Sequence, residues 1–210
     1  MKDCSQCRGS GCVNDVFPVF LKLCDKKVVV VGGGAMAAEK VPALVEAGAD
    51  VWVVAPNVRQ EIERFPVRVI RRGFLADDLD GAWYVVAAAP PDVNRDVKRA
   101  CQERRLFVNA VDDLKSADVY LGSVIRKAGM TFAISSNGTA PALTALVRRG
   151  LERLLPDDLD GWLSIAGELR HRWKSEKIPF HERRPALLRA INDWYQASET
   201  PAGPHEEHRA

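Results

Sequence analysis

The chain has 210 residues, 47% hydrophobic and 28% charged, with a formal net charge of +2. That length suits one domain or one and a half around a sizeable core. The near-neutral charge argues against nucleic-acid or membrane-surface partners, and no apolar run approaches the ~20 residues of a spanning helix.

Residues 1–15 read as a flexible arm carrying Cys4, Cys7 and Cys12. Cys4-x-x-Cys7 has metal-knuckle spacing, and Cys12 is a conceivable third ligand. No fourth ligand accompanies them, since Cys24 lies near a strand and Cys101 on a helix, so exposed thiols are preferred to a zinc or iron–sulfur arm and no metal site is assigned. The arm lacks the apolar stretch of a secretory signal, and a cytoplasmic location is the expectation. Phe17–Leu23 is an apolar lead-in, and Asp25-Lys26-Lys27 turns it into Val28–Val31, a β-branched run suited to a strand buried on both faces. Gly32, Gly33 and Gly34 follow at once, then a helix over Ala35–Ala47 that contains Pro42, expected to kink or loosen it, and is stopped by Gly48. Gly32-x-Gly34-x-x-Ala37 is a dinucleotide-binding fingerprint placed, as the mechanism requires, between a strand and a helix. Gly32 permits a tight turn, Gly34 lets backbone approach a pyrophosphate, and the helix N-terminus offers N–H groups and partial positive charge. A plain tight turn from strand to helix is the bland alternative.

Further strands are expected at Val51–Val54, Val67–Ile70, Trp83–Ala88 and Leu106–Val111, with Asn57 capping a short helix through Arg64, a helical turn at Leu75–Leu79, and a helix from Pro91 to about Arg105. This alternation predicts a doubly wound parallel sheet, with ligands at the strand C-terminal ends. The pattern then changes. Val119–Arg126 and Met130–Ser135 read as a hairpin joined by Lys127-Ala128-Gly129, and the loop Ser136–Pro141 launches a helix over Ala142–Leu155. Helices over 161–175 and 181–195 follow, the first with Trp162, Ile165, Leu169 and Trp173 on a stripe best read as core, and residues 197–210 read as a disordered tail. His171, His181, His205 and His208 show no metal-site spacing and read as surface residues.

The end of the second strand, Val53-Val54-Ala55-Pro56-Asn57, lacks the carboxylate that grips the adenosine ribose in a typical NAD site. Asn57 or backbone groups are left to hold the ribose, and Arg59 is near enough for the 2′-phosphate of NADP. The residues support a nicotinamide dinucleotide without choosing which.

Several segments together carry a resemblance: Phe17-Pro18-Val19-Phe20, Val31-Gly32-Gly33-Gly34 with Glu39-Lys40, Glu46-Ala47-Gly48-Ala49, Asn109-Ala110-Val111-Asp112, and Ser135-Ser136-Asn137-Gly138-Thr139-Ala140-Pro141. In this order and spacing, from about residue 17 to 195, the chain resembles the siroheme-synthase dehydrogenase family. These are precorrin-2 dehydrogenases, some of them also sirohydrochlorin ferrochelatases. The resemblance implies an α/β chain with an NAD-binding Rossmann domain (16–113), a small β-hairpin dimerisation region (114–145) and a helical C-terminal domain (146–196), working as a homodimer. It implies oxidation of the tetrapyrrole precorrin-2 to sirohydrochlorin with NAD as hydride acceptor. By motif, Gly32, Gly33, Gly34, Ala35, Met36, Pro56, Asn57 and Ala89 fall at cofactor positions, and Asp112 at the catalytic aspartate. Ser136, Asn137, Gly138, Thr139 and Arg148 fall at the substrate end, Ser136 matching a serine phosphorylated in some members. This chain departs from the family at Asn137, where glycine is usual, at Ala89, where threonine is common, and at Ala145, where a basic residue is frequent.

The chemistry is consistent with that assignment. Loss of a hydride from a saturated macrocycle carbon is balanced by loss of a proton, and a carboxylate such as Asp112, with Asp113 beside it to raise its pKa, is a suitable acceptor; a turn cap is the plain alternative. A polycarboxylate substrate favours a basic surface, and Arg126, Lys127, Arg148, Arg149 and Arg153 are candidates that otherwise simply solvate a helix face. Ser136, Asn137 and Thr139 could receive a carboxylate or serve as ordinary helix caps. Two other functions compete: a bifunctional enzyme that also inserts ferrous iron or cobalt, as substrate, into sirohydrochlorin, and a non-catalytic dinucleotide sensor that would tolerate Asp112→Ala.

Overall fold

The computed structural model describes residues 16–111 and 117–199. The cysteine arm, Asp112 and Asp113, His205 and His208, and the tail from residue 200 lie outside the described residues. The chain forms two compact units. One runs up to Leu121 and takes in Ser135–Ala140; the other joins Gly122–Ile134 to the chain from Pro141 onward. These bounds set the hairpin and the helix after it in one unit with the C-terminal helices, rather than dividing them at residue 146.

The first unit is built on β1 (Lys27–Val31), β2 (Asp50–Val54), β3 (Arg68–Ile70), β4 (Tyr84–Ala87) and β5 (Val108–Ala110), in the order β3-β2-β1-β4-β5 with every pairing parallel. Side chains alternate across a strand, so each strand serves two cores. Val28, Val30, Val51, Val53, Tyr84 and Val86 pack with Val41 and Leu44 of α1 (Ala35–Glu46) and Ile62 of α2 (Gln60–Glu63). Val29, Val31, Val54, Val85 and Val108 pack with Val97, Ala100 and Cys101 of α3 (Pro91–Arg104) and with Leu79 of the 3₁₀ turn Ala76–Leu79. Burial at this depth explains the unbroken valine run and pushes the Cys101 thiol up to about 12. The chain order reverses between β1 and β4, because β2 and β3 lie on one side of β1 and β4 and β5 on the other.

The glycine stop of α1 follows the sequence. α1 ends in a Schellman motif, with Gly48 at φ +76° and its N–H on the Val45 carbonyl (2.9 Å), and Ala49 N–H on that of Leu44 (3.1 Å). The helix nonetheless runs unbroken through Pro42. Asn57 does not cap α2: Arg59 holds the N-cap position, because the preceding segment is spent against the glycine loop. Trp83 precedes β4 and is exposed.

In the second unit β6 (Ser123–Lys127) pairs antiparallel with β7 (Met130–Ile134) through Ala128-Gly129. The expected start of that hairpin at Val119 is four residues too early. Val119 instead lies along β5 in the first unit, its carbonyl taking the Asn109 Nδ2 hydrogen (2.8 Å), while Asp118 N–H bonds Val108 O (2.9 Å). α4 (Pro141–Leu154), α5 (Leu159–Ser175) and α6 (Phe180–Glu199) follow, so residues 197–199, expected in the tail, continue a helix. Trp162, Ile165, Leu169 and Trp173 are half-buried on one face of α5. Trp162 donates to the Tyr195 hydroxyl of α6 (2.9 Å), and Gly161 lies so close to the Trp194 ring that a Cβ would come within 2.8 Å.

Candidate functional site

The C-terminal ends of β1, β2 and β4 converge where the chain order reverses. Gly32, at φ +122°, donates to Val54 O (3.0 Å), and Ala88 N–H donates to Val31 O (2.8 Å). A Cβ on Gly32 would stand 2.1 Å from the Ala88 carbonyl oxygen, and one on Gly33 2.2 Å from that of Asn57. These two glycines are therefore required by the protein's own backbone. Gly34 differs: nothing lies within 4 Å of its Cβ position, and Gly34 and Ala35 are exposed. Gly34 is the N-cap of α1, no side chain caps that helix, and no acidic residue stands in its first turn. The result is a cradle of small residues opening on a helix N-terminus whose amides and dipole suit an anion. It fits the pyrophosphate of a dinucleotide, with Ala37 fully buried and letting α1 sit close on the sheet.

The second wall is the segment after β2. Pro56 and Asn57 are exposed beside the glycine loop, and Arg59 N–H donates to Gly33 O (2.9 Å). The Arg59 guanidinium grips Glu61 through Nε (3.3 Å) and a terminal nitrogen (2.9 Å), and this bond holds the Glu61 carboxyl down at about 2. The third wall is the β4–α3 loop, where Ala89 N–H is taken by Asn94 Oδ1 (3.0 Å). Asn94 and Glu61 are the residues that reading the sequence missed. The only signals were an Asn in the first turn after Pro90-Pro91 and an acid two positions beyond a candidate phosphate ligand.

Gly32, Gly33, Gly34, Ala35, Met36, Pro56, Asn57 and Ala89 thus share one edge of the first unit. The 135–140 loop belongs to the same unit. Asn137 and Gly138, at φ +53° and +76°, form its turn, with Thr139 N–H on Ser136 O (3.0 Å). Asparagine tolerates that left-handed backbone. Ser136 Oγ accepts from Ala140 N–H (2.9 Å), and Thr139 Oγ1 donates to Ser136 O (2.6 Å), so both side chains shape the loop. Arg148 lies on α4 in the other unit and is paired with Glu152. Lys127 binds Leu155 O and Asp157 there, each at 2.9 Å. His171 and His181 are exposed, and among the described residues no His, Cys, Asp and Glu cluster suits a metal. Among them, too, no helix is long and apolar enough to cross a membrane.

Comparison with known proteins points the same way. A family model described as "Putative NAD(P)-binding" matches residues 19–123, half of the chain, and a sirohaem biosynthesis central model matches residues 129–154. A siroheme synthase of Aeromonas hydrophila is 38% identical over 175 residues, covering 81% of this chain and 37% of that protein. One of Zymomonas mobilis is 35% identical over 204 residues, covering 90% and 43%. The chain spans about two-fifths of the length of these curated relatives. Among solved structures, SirC, a precorrin-2 dehydrogenase, superposes with a TM-score of 0.69 at 25% identity over 88% of this chain and 94% of that one. With half its length on one family model and the sirohaem segment shortly after it, the chain belongs to the NAD(P)-binding family.

Proposed function

We propose that the chain oxidises precorrin-2 to sirohydrochlorin with NAD. The observation that carries this reading is the likeness to SirC over nearly the whole of both chains, because a glycine cradle alone serves many reactions. Gly33, Gly34 and the α1 N-terminus would hold the pyrophosphate, Pro56 and Asn57 the adenosine ribose, and Ala89 would line the nicotinamide end, its loop fixed by Asn94. Bound there, the nicotinamide supplies the hydride acceptor. The chain must then take a proton from the macrocycle, and Asp112, next in sequence after Val111, is the proposed base. Ser136, Asn137, Gly138 and Thr139 are proposed to receive a substrate carboxylate, and Arg148 of the second unit is kept as a candidate substrate cation in its own right.

Two copies are proposed to pair through the hairpin and the helices after it. The support is α4, which leaves Leu143, Leu146, Val147 and Leu154 exposed along one side. A protein that elutes as a monomer in gel filtration would remove this part of the reading.

The test follows the absorbance of precorrin-2 with NAD, NADP or neither. NAD-dependent appearance of sirohydrochlorin is expected, and Asp112→Ala should lower turnover by about 10²–10⁴-fold with NAD binding intact. Full turnover by Asp112→Ala would remove the aspartate from the mechanism. No turnover in the parent chain despite measurable NAD binding would overturn the dehydrogenase itself.

A further inference from the structure

The end of the second strand usually decides which nicotinamide dinucleotide a fold accepts. A carboxylate there takes the ribose hydroxyls, and an arginine takes a 2′-phosphate. Residues 55–57 hold no carboxylate, and the first cation after them is Arg59. Read by type alone, that pattern leaves NADP as open as NAD. The structure gives Arg59 another partner. Its backbone is fixed to the glycine loop through Gly33 O (2.9 Å), at the edge of the cradle. Its guanidinium is closed on Glu61 through two nitrogens at 3.3 and 2.9 Å, the fork geometry that a phosphate would otherwise use. The other charges of this short segment are arranged differently. Glu63 is taken by Arg71, and Arg64 contributes a weaker field at Glu61. Glu61 thus occupies the Arg59 fork and puts a carboxylate against the first cation that follows residues 55–57.

We propose that Glu61 is the residue that turns this site against NADP, by engaging Arg59 and by repelling the 2′-phosphate. The inference rests on the dinucleotide reading of the glycine loop. Surface ion pairs are individually weak, so the decisive effect is the sum of an occupied cation and an added repulsion. One unit charge at this range and in partly solvated surroundings changes affinity by about five- to tenfold.

The experiment measures dissociation constants of NAD⁺ and NADP⁺ by isothermal titration calorimetry for the full chain, Glu61→Gln, Arg59→Ala and the double variant. The parent chain should bind NAD⁺ about tenfold more tightly than NADP⁺ or better. Glu61→Gln should tighten NADP⁺ by about five- to tenfold, leave NAD⁺ within about twofold, and lose most of the gain at 1 M salt. Made in the Arg59→Ala background, Glu61→Gln should tighten NADP⁺ by a smaller factor than in the parent chain: the part lost measures release of Arg59, and the part kept measures the repulsion removed. An unchanged NADP⁺ constant in Glu61→Gln, with NAD⁺ still bound, would overturn the inference and leave the dinucleotide site standing. Equal tightening of both dinucleotides would also overturn it, since Glu61 would then act on the shared pyrophosphate. Binding of neither dinucleotide by the parent chain would overturn the dinucleotide reading together with the inference.

Discussion

The two units treat apolar surface in opposite ways. In the first, Val28, Val29, Val30, Val51, Val53, Val85 and Val86 are completely buried between helices on both sides of the sheet. In the second, the buried residues among those described are Ile125, Thr144 and Leu159, while Leu146 is 66% and Leu154 79% exposed on α4. A parallel sheet covered on both faces completes its own core. An amphipathic helix with an open apolar side leaves surface of the kind that partners cover. One unit is therefore self-sufficient in packing, and the other carries the surface to which we assign pairing.

The sharpest way to break this contrast is at the glycine loop. Gly32→Ala places a methyl group against the Ala88 carbonyl at a φ that alanine avoids, and should destabilise the first unit by about 3 kcal/mol or more in denaturant titration. Gly34→Ala meets open space and should leave the unfolding midpoint unchanged while weakening NAD binding, because the new methyl enters the cradle. Equal loss of stability in the two variants would mean that Gly34 belongs to the packing and not to the ligand.

Charge on the open side of α4 tests the other half. Leu146→Glu with Leu154→Glu should weaken a dimer by about thirtyfold or more, the measure of an interface hot spot. Analytical ultracentrifugation reads this directly, and NAD binding to the first unit should persist. A dimer of unchanged affinity would place the contact elsewhere.

Most of the first unit was legible because valine runs, βα turns and helix caps are local signals that agree with one another. The strand positions, the glycine stop at Gly48 and the glycine cradle all follow from short stretches. What failed to show was what depends on contact between distant segments. Asn57 reads as a helix cap by type, but Gly33 presses on its carbonyl and the cap passes to Arg59. Val119 has strand propensity, yet Asn109 holds it beside β5 and the hairpin begins later. Arg59 reads as near enough for a 2′-phosphate, and only the folded segment shows Glu61 holding it. Ala89 reads as a gap in the family pattern until Asn94 is seen to fix its amide.

Two carboxylates, one in each unit, give the finest form of the comparison. Asp78 takes the Arg72 guanidinium at 2.5 and 2.8 Å and the Leu75 amide at 2.8 Å, with its side chain 5% exposed. Asp157 takes Lys127 at 2.9 Å in full solvent. The Arg72 hydrogen bond is the main cause holding Asp78 below the usual carboxylate range, and the Lys127 bond does the same for Asp157. For a depressed carboxyl the stabilisation is complete above the unfolded pKa of about 4 and drains away as pH falls through the lower folded value. Asp78→Asn leaves a guanidinium, half exposed to water, without its counter-charge, and should cost about 1–3 kcal/mol at pH 7. It should also flatten the decline in stability that the parent chain shows on acidification below about pH 4. Asp157→Asn should leave the unfolding midpoint where it was, because an exposed pair gains little over water and Lys127 keeps its bond to Leu155 O. A larger cost at Asp157 than at Asp78 would reverse the contrast, since it would locate the tighter electrostatic packing in the unit whose apolar side stands open.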